Sequence, residues 1–332
     1  MKKEIRIIFA GTSDFALNPL NKLLLNNDPL YDFKIMLIIT QPDKPKGRNQ
    51  KIEFNNIKKI AIEHNIDFIQ PDDINNDEII KKLRLANADI FVTIAYGAFI
   101  GKEIRNMFPL GAINLHPSLL PKYRGADPVR QTILSGDEFC GNSIFFINSK
   151  IDSGRIILQN KYPINNDKLN NYTSILEYLS IKGADDLVEA IKQIINKEVR
   201  YSDLKLLFPE QDEKLASFSN KIEFEDLVAN FNLPYEQFIR KINAYSYEPG
   251  YYCYYKSKRL KLYQTELHQV TDNQIYPIVK DIIKNRGFVL SLKDADLLIL
   301  QVQYEGKNKM SAWDFINGSR LKIGDTFETE TQ

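Results

Sequence analysis

Apolar residues in the first two thirds of the chain come as short runs, separated by stretches with helical spacing. Residues 5–10 form such a run, interrupted only by Arg6 and closed by Gly11 and Thr12. Residues 15–26 then place Leu17, Leu20, Leu23 and Leu24 along one side of a helix. The rhythm continues with strands predicted at 35–40, 68–69, 89–96, 112–115 and 143–148, and helices at 57–65, 78–85 and 128–135. A long amphipathic helix is predicted over 174–195. Strands of buried type alternating with helices imply a mostly parallel sheet covered on both faces. Residues 197–214 break the pattern: they are charged, contain Pro209 and show little periodicity, as a linker does. Beyond them, helical pieces at 224–228 and 234–243 give way to aromatic or β-branched runs at 250–255, 260–264, 287–292 and 297–303. Short strands with turn residues between them predict a small barrel or sandwich. The expected division is 1–197, a linker at 198–215, and a second domain at 216–330.

Composition narrows this picture. A chain of 332 residues, 43% hydrophobic and 26% charged, is globular and long enough for two domains. Its formal charge of +1 argues against a protein that coats nucleic acid, yet leaves room for a local basic patch. Cys140 and Cys253 are the only cysteines, so neither a disulfide framework nor a zinc site is expected, and a reducing cytoplasm fits. The apolar start is too short for a signal peptide, and no stretch approaches a transmembrane length. Gly11-Thr12 ends a strand as nucleotide-binding turns do, but no further glycine follows, so no dinucleotide cofactor is expected. Thr12 or Asp14 would then cap the helix.

The candidate chemistry lies near residue 115. Asn114 and His116 are two apart on a predicted strand and therefore share a face. They sit at its C-terminal end, where open α/β sheets place their sites. Of the three histidines, His64 falls at a helix end and His268 in a polar stretch, so His116 is the functional candidate. Asp152, in Asp-Ser-Gly, reads equally as a turn residue, and becomes functional only if the fold delivers it to His116. An amide donor, an imidazole and an orienting acid suit acyl transfer without a covalent enzyme intermediate. Gln41 to Lys51 leaves another strand end and carries Lys44, Lys46, Arg48 and Lys51 against one acid, Asp43. A basic loop beside a site suggests a phosphate-bearing substrate or nucleic acid; the alternative is a solvated loop. In the second domain Lys256, Lys258, Arg259 and Lys261 lie among Tyr251, Tyr252, Tyr254, Tyr255 and Tyr263, as on a nucleic-acid surface or in an ordinary barrel with tyrosines inside.

The run Asn114-Leu115-His116-Pro117-Ser118-Leu119-Leu120-Pro121, with Arg124-Gly125 and Asp152-Ser153-Gly154, resembles the signature of the folate-dependent formyltransferases. Within that family the likeness is to the branch acting on methionyl-tRNA. It extends over Ile7 to Thr12, Asp14-Phe15, Thr40 to Pro45, Gly47-Arg48, Ala95-Tyr96-Gly97, Lys309 to Ala312, Asp314-Phe315 and Asn317-Gly318. The resemblance implies a Rossmann-like formyltransferase domain and a C-terminal OB-like barrel. It implies transfer of the formyl group of 10-formyltetrahydrofolate to the α-amino group of initiator methionyl-tRNA by a monomer, without metal or membrane. Asn114 would bind the formyl oxygen, His116 would stabilise the charge of the tetrahedral intermediate, and Asp152 would set the protonation of His116 and shuttle the amine proton. Ser118, Leu119, Leu120, Pro121, Tyr96, Gly97 and Ile147 would line the folate site. Arg48, with Lys44, Lys46 and Lys51, would hold the tRNA acceptor end.

The chain departs from that family at four places. Asp127 stands where a second alanine is usual and would alter the substrate entrance or pair with Arg124 or Arg130; Ser13 replaces a proline; Ala98 to Gly101 lacks one; and the linker with Ser219 to Glu225 matches the family's lysine- and acid-rich junction only loosely. Sugar-nucleotide N-formyltransferases share the central residues but need neither the basic loop nor the basic barrel. Hydrolysis of 10-formyltetrahydrofolate would use the same residues on water. A tRNA-binding protein without catalysis would not need Asn114, His116 and Asp152 together.

Overall fold

A computed structural model describes residues 2–25, 27–46, 51–164, 169–197, 203 and 205–330. Contacts divide the chain into two units, neither continuous in sequence. The first holds Met1–Pro128, Phe139–Pro163 and Leu176–Ser219; the second holds Val129–Glu138, Ile164–Ile175 and Asn220–Gln332.

The first unit is built on a sheet of seven strands. They are β1 (Lys3–Gly11), β2 (Tyr31–Ile39), β5 (Phe68–Ile69), β6 (Ile90–Ile94), β7 (Ala112–His116), β9 (Phe139–Phe146) and β10 (Ile156–Pro163), in the order β10-β9-β7-β6-β1-β2-β5. The five strands from β5 to β7 are parallel. The order reverses between β1 and β6, the point where a crevice opens at the strand ends. Helices α1 (Leu17–Leu25), α2 (Asn56–Glu63), α3 (Asp77–Leu85), α4 (Lys102–Arg105) and α6 (Tyr172–Ile195) lie between or after the strands. The expected helix at 15–26 opens as a 3-10 turn, Asp14–Ala16, whose N-cap Ser13 makes no side-chain cap, so neither Thr12 nor Asp14 has the expected capping role. Ile7, Ile8, Phe9 and Ala10 of β1 are all fully buried, as a strand covered on both faces requires.

The sheet ends differently from its sequence pattern. β9 starts earlier than expected and runs antiparallel to β7, and β10, which the apolar pattern did not mark, runs antiparallel to β9. β10 is the edge strand; only alternate residues are shielded, so Gln159, Asn160 and Lys161 read as loop. Short strands β3 (Pro45–Lys46) and β4 (Lys51–Ile52) pair with each other, and β8 (Arg124–Gly125) pairs with β11 (Phe218–Ser219).

The second unit contains α5 (Pro128–Ser135), α7 (Tyr235–Tyr245) and an antiparallel sheet. Its strands are β12 (Tyr251–Tyr255), β13 (Lys258–Val270), β14 (Val279–Ile283), β15 (Gly287–Ser291), β16 (Ala295–Tyr304) and β17 (Met310–Ser311). The path is β12-β13-β16-β15-β14, with β17 on β16. Residues 326–328 join its two edges: Glu328 bridges Tyr254 of β12, and Thr326 bridges Ile278 beside β14. The sheet is thereby closed into a small barrel around Tyr251, Leu262, Phe288, Ile299 and Phe315. Helix α8 (Ala312–Ser319), which apolar spacing did not mark, is started by Ser311, whose hydroxyl accepts from Asp314 N at 3.0 Å.

One ion pair ties the first unit together at the ends of its strands far from the crevice. Arg6 N and Nε donate to Asp89 Oδ2 at 2.8 and 3.2 Å, and Nη2 donates to Oδ1 at 2.8 Å. Burial alone would raise the Asp89 carboxyl, but the hydrogen bonds from Arg6 and its charge outweigh burial and hold it below the usual carboxylate range. A depressed carboxyl stabilises the fold above its unfolded value, about 3.9, and the gain is lost as pH falls through the folded value. Asp89→Asn is therefore expected to lower Tm at neutral pH, with the difference from wild type narrowing below about pH 4. Thermal melts across that range test it; a difference that stays constant into acid would refute the linkage.

Candidate active site

Three strand ends meet at the crevice. Thr12, directly after β1, donates from Oγ1 to Tyr96 O at 3.2 Å and accepts from Gln41 N at 3.3 Å. One threonine hydroxyl therefore ties the ends of β1, β2 and β6 together. Ala95 and Gly97 have φ of +46° and +85°, which turns the chain sharply out of β6. The Tyr96 ring packs into the core beside Ile39, Ile74 and Ile100, so it is the main chain of 95–97 that borders the crevice. The Tyr96 hydroxyl is buried without a hydrogen-bond partner. Burial, with a smaller contribution from the charge of Asp73, pushes its phenol up to about 12. Ile147 is half-buried against the same core, and its N–H donates to Ala112 O at 2.8 Å.

β7 presents Asn114 and His116 on one face, as their spacing requires. Thr93 pairs with Asn114 across the parallel β6–β7 ladder. Its Oγ1 donates to Asn114 Oδ1 at 2.7 Å, leaving the amide's Nδ2 as the donor turned elsewhere. His116 is 5% exposed. Its Nε2 lies 3.0 Å from Tyr123 O and its Nδ1 lies 3.7 Å from Asp152 Oδ2. A carbonyl oxygen only accepts, so Nε2 carries the hydrogen. The other nitrogen, Nδ1, faces the Asp152 carboxylate. Tyr123 itself is held in a left-handed conformation, φ +61°, by the bond from its N–H to Ser217 Oγ at 3.0 Å.

The fold does deliver Asp152 to His116. Asp152 also has a left-handed backbone, φ +46°, which costs a non-glycine residue about 1 kcal/mol. Its Oδ2 accepts from Gly125 N at 2.8 Å. Gly154 completes the motif for a steric reason: a Cβ there would come within 1.6 Å of Phe146 O. Arg124 is held by Gln211 and Glu213, and Arg130 donates to Glu248 O at 2.8 Å and lies 3.5 Å above the Tyr172 ring.

The loop after β7 is stitched to the sheet edge. Ser143 Oγ donates to Ser118 O at 2.6 Å and accepts from Leu120 N at 3.1 Å, while Gln159 Nε2 donates to Leu120 O at 2.8 Å. Ser118 turns inward, donating from Oγ to Lys122 O at 2.7 Å, and Leu120 is buried. Leu119 packs on Gly141, where a Cβ would lie 2.4 Å from its Cδ2. Pro121, half-buried, follows a cis peptide bond. Ser118, Leu119 and Leu120 thus shape the loop from within. Cys140, nearby on β9, is buried, and burial pushes its thiol up to about 11, unlike an activated nucleophile.

The basic loop is anchored at its base. Asp43 pairs with Lys58, and Gln41 O accepts from Gln70 Nε2 at 2.8 Å. Burial would raise the Asp43 carboxyl, but bonds from Lys58 and Gln70 hold it below the usual range. Lys44 is exposed. Lys46 pairs with Lys51 in the register of the β3–β4 ladder, and Arg48 lies outside the described residues. Among the described residues no group of three His, Cys, Asp or Glu side chains is arranged to hold a metal ion.

An amide and an imidazole at the carboxyl end of β7, with a carboxylate brought up by the turn between β9 and β10 and without an activated thiol among the described residues, mark a site suited to direct acyl transfer. The chain belongs to the formyl transferase family: the family's model matches residues 3–177, and that of its C-terminal domain matches residues 221–320. The chain is 32% identical to a methionyl-tRNA formyltransferase of Fusobacterium nucleatum, over 97% of this chain and 99% of that one. It is 33% identical to another of Malacoplasma penetrans, over 98% of each. Among solved structures, the methionyl-tRNA formyltransferase from Clostridium thermocellum aligns with a TM-score of 0.53 at 16% identity, over 88% of this chain and 99% of that one. WlaRD, a sugar 3N-formyl transferase, aligns with a TM-score of 0.57 at 22% identity, over 92% and 99%. At these identities the structural matches concern the fold.

Thr93 was not singled out by sequence, since a threonine inside an apolar strand carries no chemical signal there. Its bond to Asn114 generates a prediction. Thr93→Val should keep the fold and lower the rate of formyl transfer about ten-fold, less than the hundred-fold or more typical of deleting a donor outright. Steady-state rates with a matched melting curve test this; an unchanged rate would show that Asn114 needs no orientation.

Proposed function

We propose that this enzyme transfers the formyl group of 10-formyltetrahydrofolate to the α-amino group of initiator methionyl-tRNA, acting in the cytoplasm as a monomer. The observation that carries the reading is the meeting of His116 and Asp152 on the Asn114 face of β7, in a chain related over nearly its full length to methionyl-tRNA formyltransferases. The first 197 residues would carry the chemistry and residues 216–330 would contribute tRNA contacts. No helix of the described residues is long and apolar enough to cross a membrane.

The reaction exchanges one carbon–nitrogen bond for another. The methionyl amine attacks the formyl carbon, giving a tetrahedral adduct with a negative oxygen; the bond to folate N10 then breaks. One proton leaves the attacking nitrogen and one arrives at N10. In this reading Asn114 Nδ2 donates to the developing oxyanion, and the His116 ring stabilises the charge of the tetrahedral intermediate beside it. Asp152 holds that ring and relays the proton lost by the amine. The folate would lie along the main chain of 95–97 and the 118–121 loop, with Ile147 on its far side. Gly97 supports this placement: it has a positive φ, and a Cβ there would meet nothing within 4 Å. Arg48, with Lys44, Lys46 and Lys51, would hold the acceptor end. The basic loop and the C-terminal barrel favour a tRNA over an amino-sugar nucleotide.

The decisive assay offers purified protein 10-formyltetrahydrofolate together with methionyl-tRNA or an amino-sugar nucleotide. Transfer to the tRNA is expected; good transfer to the sugar alone would overturn the reading. His116→Ala should lower kcat by about a hundred-fold or more with tRNA binding retained. Arg48→Ala should raise KM for the tRNA and leave that for the folate; the reverse pattern would remove the loop from the tRNA site.

A further inference from the structure

Residues 208–215 follow α6 and read in sequence as linker, and 216–219 as the start of the second domain, yet all of them pack within the first unit. Gln211 is 8% exposed. Its Oε1 accepts from Arg124 Nε at 3.0 Å and from Arg124 Nη2 at 2.8 Å. Its Nε2 donates to Asp152 O at 2.9 Å and to Gly154 O at 2.8 Å. A guanidinium only donates and a carbonyl only accepts, so the amide has one possible orientation. Both lone pairs and both hydrogens are used. Glutamate would set an acceptor against two carbonyls, and an apolar residue would leave the carbonyls and the guanidinium without partners.

This arrangement grips the Asp152 turn from both ends. Gly125 N holds the carboxylate, while Arg124, the preceding residue, holds the main chain of Asp152 and Gly154 through Gln211. Asp152 needs such restraint, since its backbone is left-handed and its Oδ2 stands 3.7 Å from His116 Nδ1, beyond a hydrogen bond. A displacement of about 1 Å decides whether the two groups engage, and errors of that size are worth about a hundred-fold in rate.

We propose that Gln211, locked by Arg124, is a positioning residue for the Asp152–His116 pair, so that the segment after α6 is part of the working site. The proposal rests on the formyl-transfer reading above. Its test uses the full chain with Gln211→Glu, Gln211→Leu and, for comparison, Glu210→Gln. Glu210 is exposed, anchors the same segment by pairing with Arg155, and touches neither Asp152 nor Arg124 in the hydrogen bonds of this structure. Both Gln211 variants are expected to lower kcat about 10- to 100-fold, with KM for both substrates within about two-fold. Glu210→Gln is expected to keep kcat within about two-fold. In 15N-labelled protein, which has three histidines, the His116 ring nitrogens should shift in the Gln211 variants and stay in place in Glu210→Gln. Unshifted ring nitrogens with wild-type kcat, a loss confined to KM, or an equal loss in Glu210→Gln would each overturn the proposal. If Gln211→Leu does not fold, Gln211→Glu, which retains both acceptors for Arg124, decides. Wild-type protein that fails to formylate methionyl-tRNA would sink the function reading alone, because the ring nitrogens still report on positioning.

Discussion

Strand β7 is paired on both edges, parallel to β6 through Thr93 and Asn114, and antiparallel to β9 through His116 and Ser143. This double pairing fixes its register, and the register fixes the chemistry. A slip of one residue would turn Asn114 and His116 to the opposite face and bring Ile113 and Leu115 to the crevice. The same two neighbours continue into the surroundings of the site. Thr93 orients the Asn114 amide from the β6 side, and Ser143 fastens the following loop from the β9 side. Sheet and site are thus held by one set of bonds.

Much of this was legible in the sequence, and the parts that were not share a cause. β1 and β6 stood out because strands buried on both faces must be apolar throughout. β10 did not, since an edge strand shields only one face. The outer half of β13 runs through Glu266 and His268, which are exposed and were not marked as strand by the apolar pattern. At the candidate site, Asn114 and His116 stood out through their two-residue spacing together with their place at a strand's carboxyl end. Asp152 needed the fold, because nothing local separates it from an ordinary turn residue. Thr93 and the carbonyl of Tyr123 were hidden for another reason. One is a small residue in an apolar strand; the other is a main-chain atom, which carries no trace of its role in the identity of its side chain.

The second unit solves the problem of sheet edges by closure. Tyr254 exchanges hydrogen bonds with Glu328 in both directions, at 2.8 and 3.0 Å, and Val279 N donates to Asp325 O at 2.8 Å. Polar main-chain groups that would otherwise template another strand are satisfied. The tyrosines read as either core or surface go to the core: Tyr251, Tyr252, Tyr255 and Tyr263 are buried and Tyr254 is partly buried against them, while Arg259 lies 4.5 Å from the Tyr252 ring.

The pairing of β8 with β11 joins residues more than ninety positions apart. Because a chain leaves the ribosome from its amino end, the strands bearing Asn114 and His116 emerge well before Ser217 and Ser219. At the synthesis rates typical of cells, about 5–20 residues per second, that gap lasts several seconds. Over that interval the sheet can assemble while the turn at 121–125 still lacks the partners that shape it. Maturation of the site is in this sense timed by a strand only two residues long.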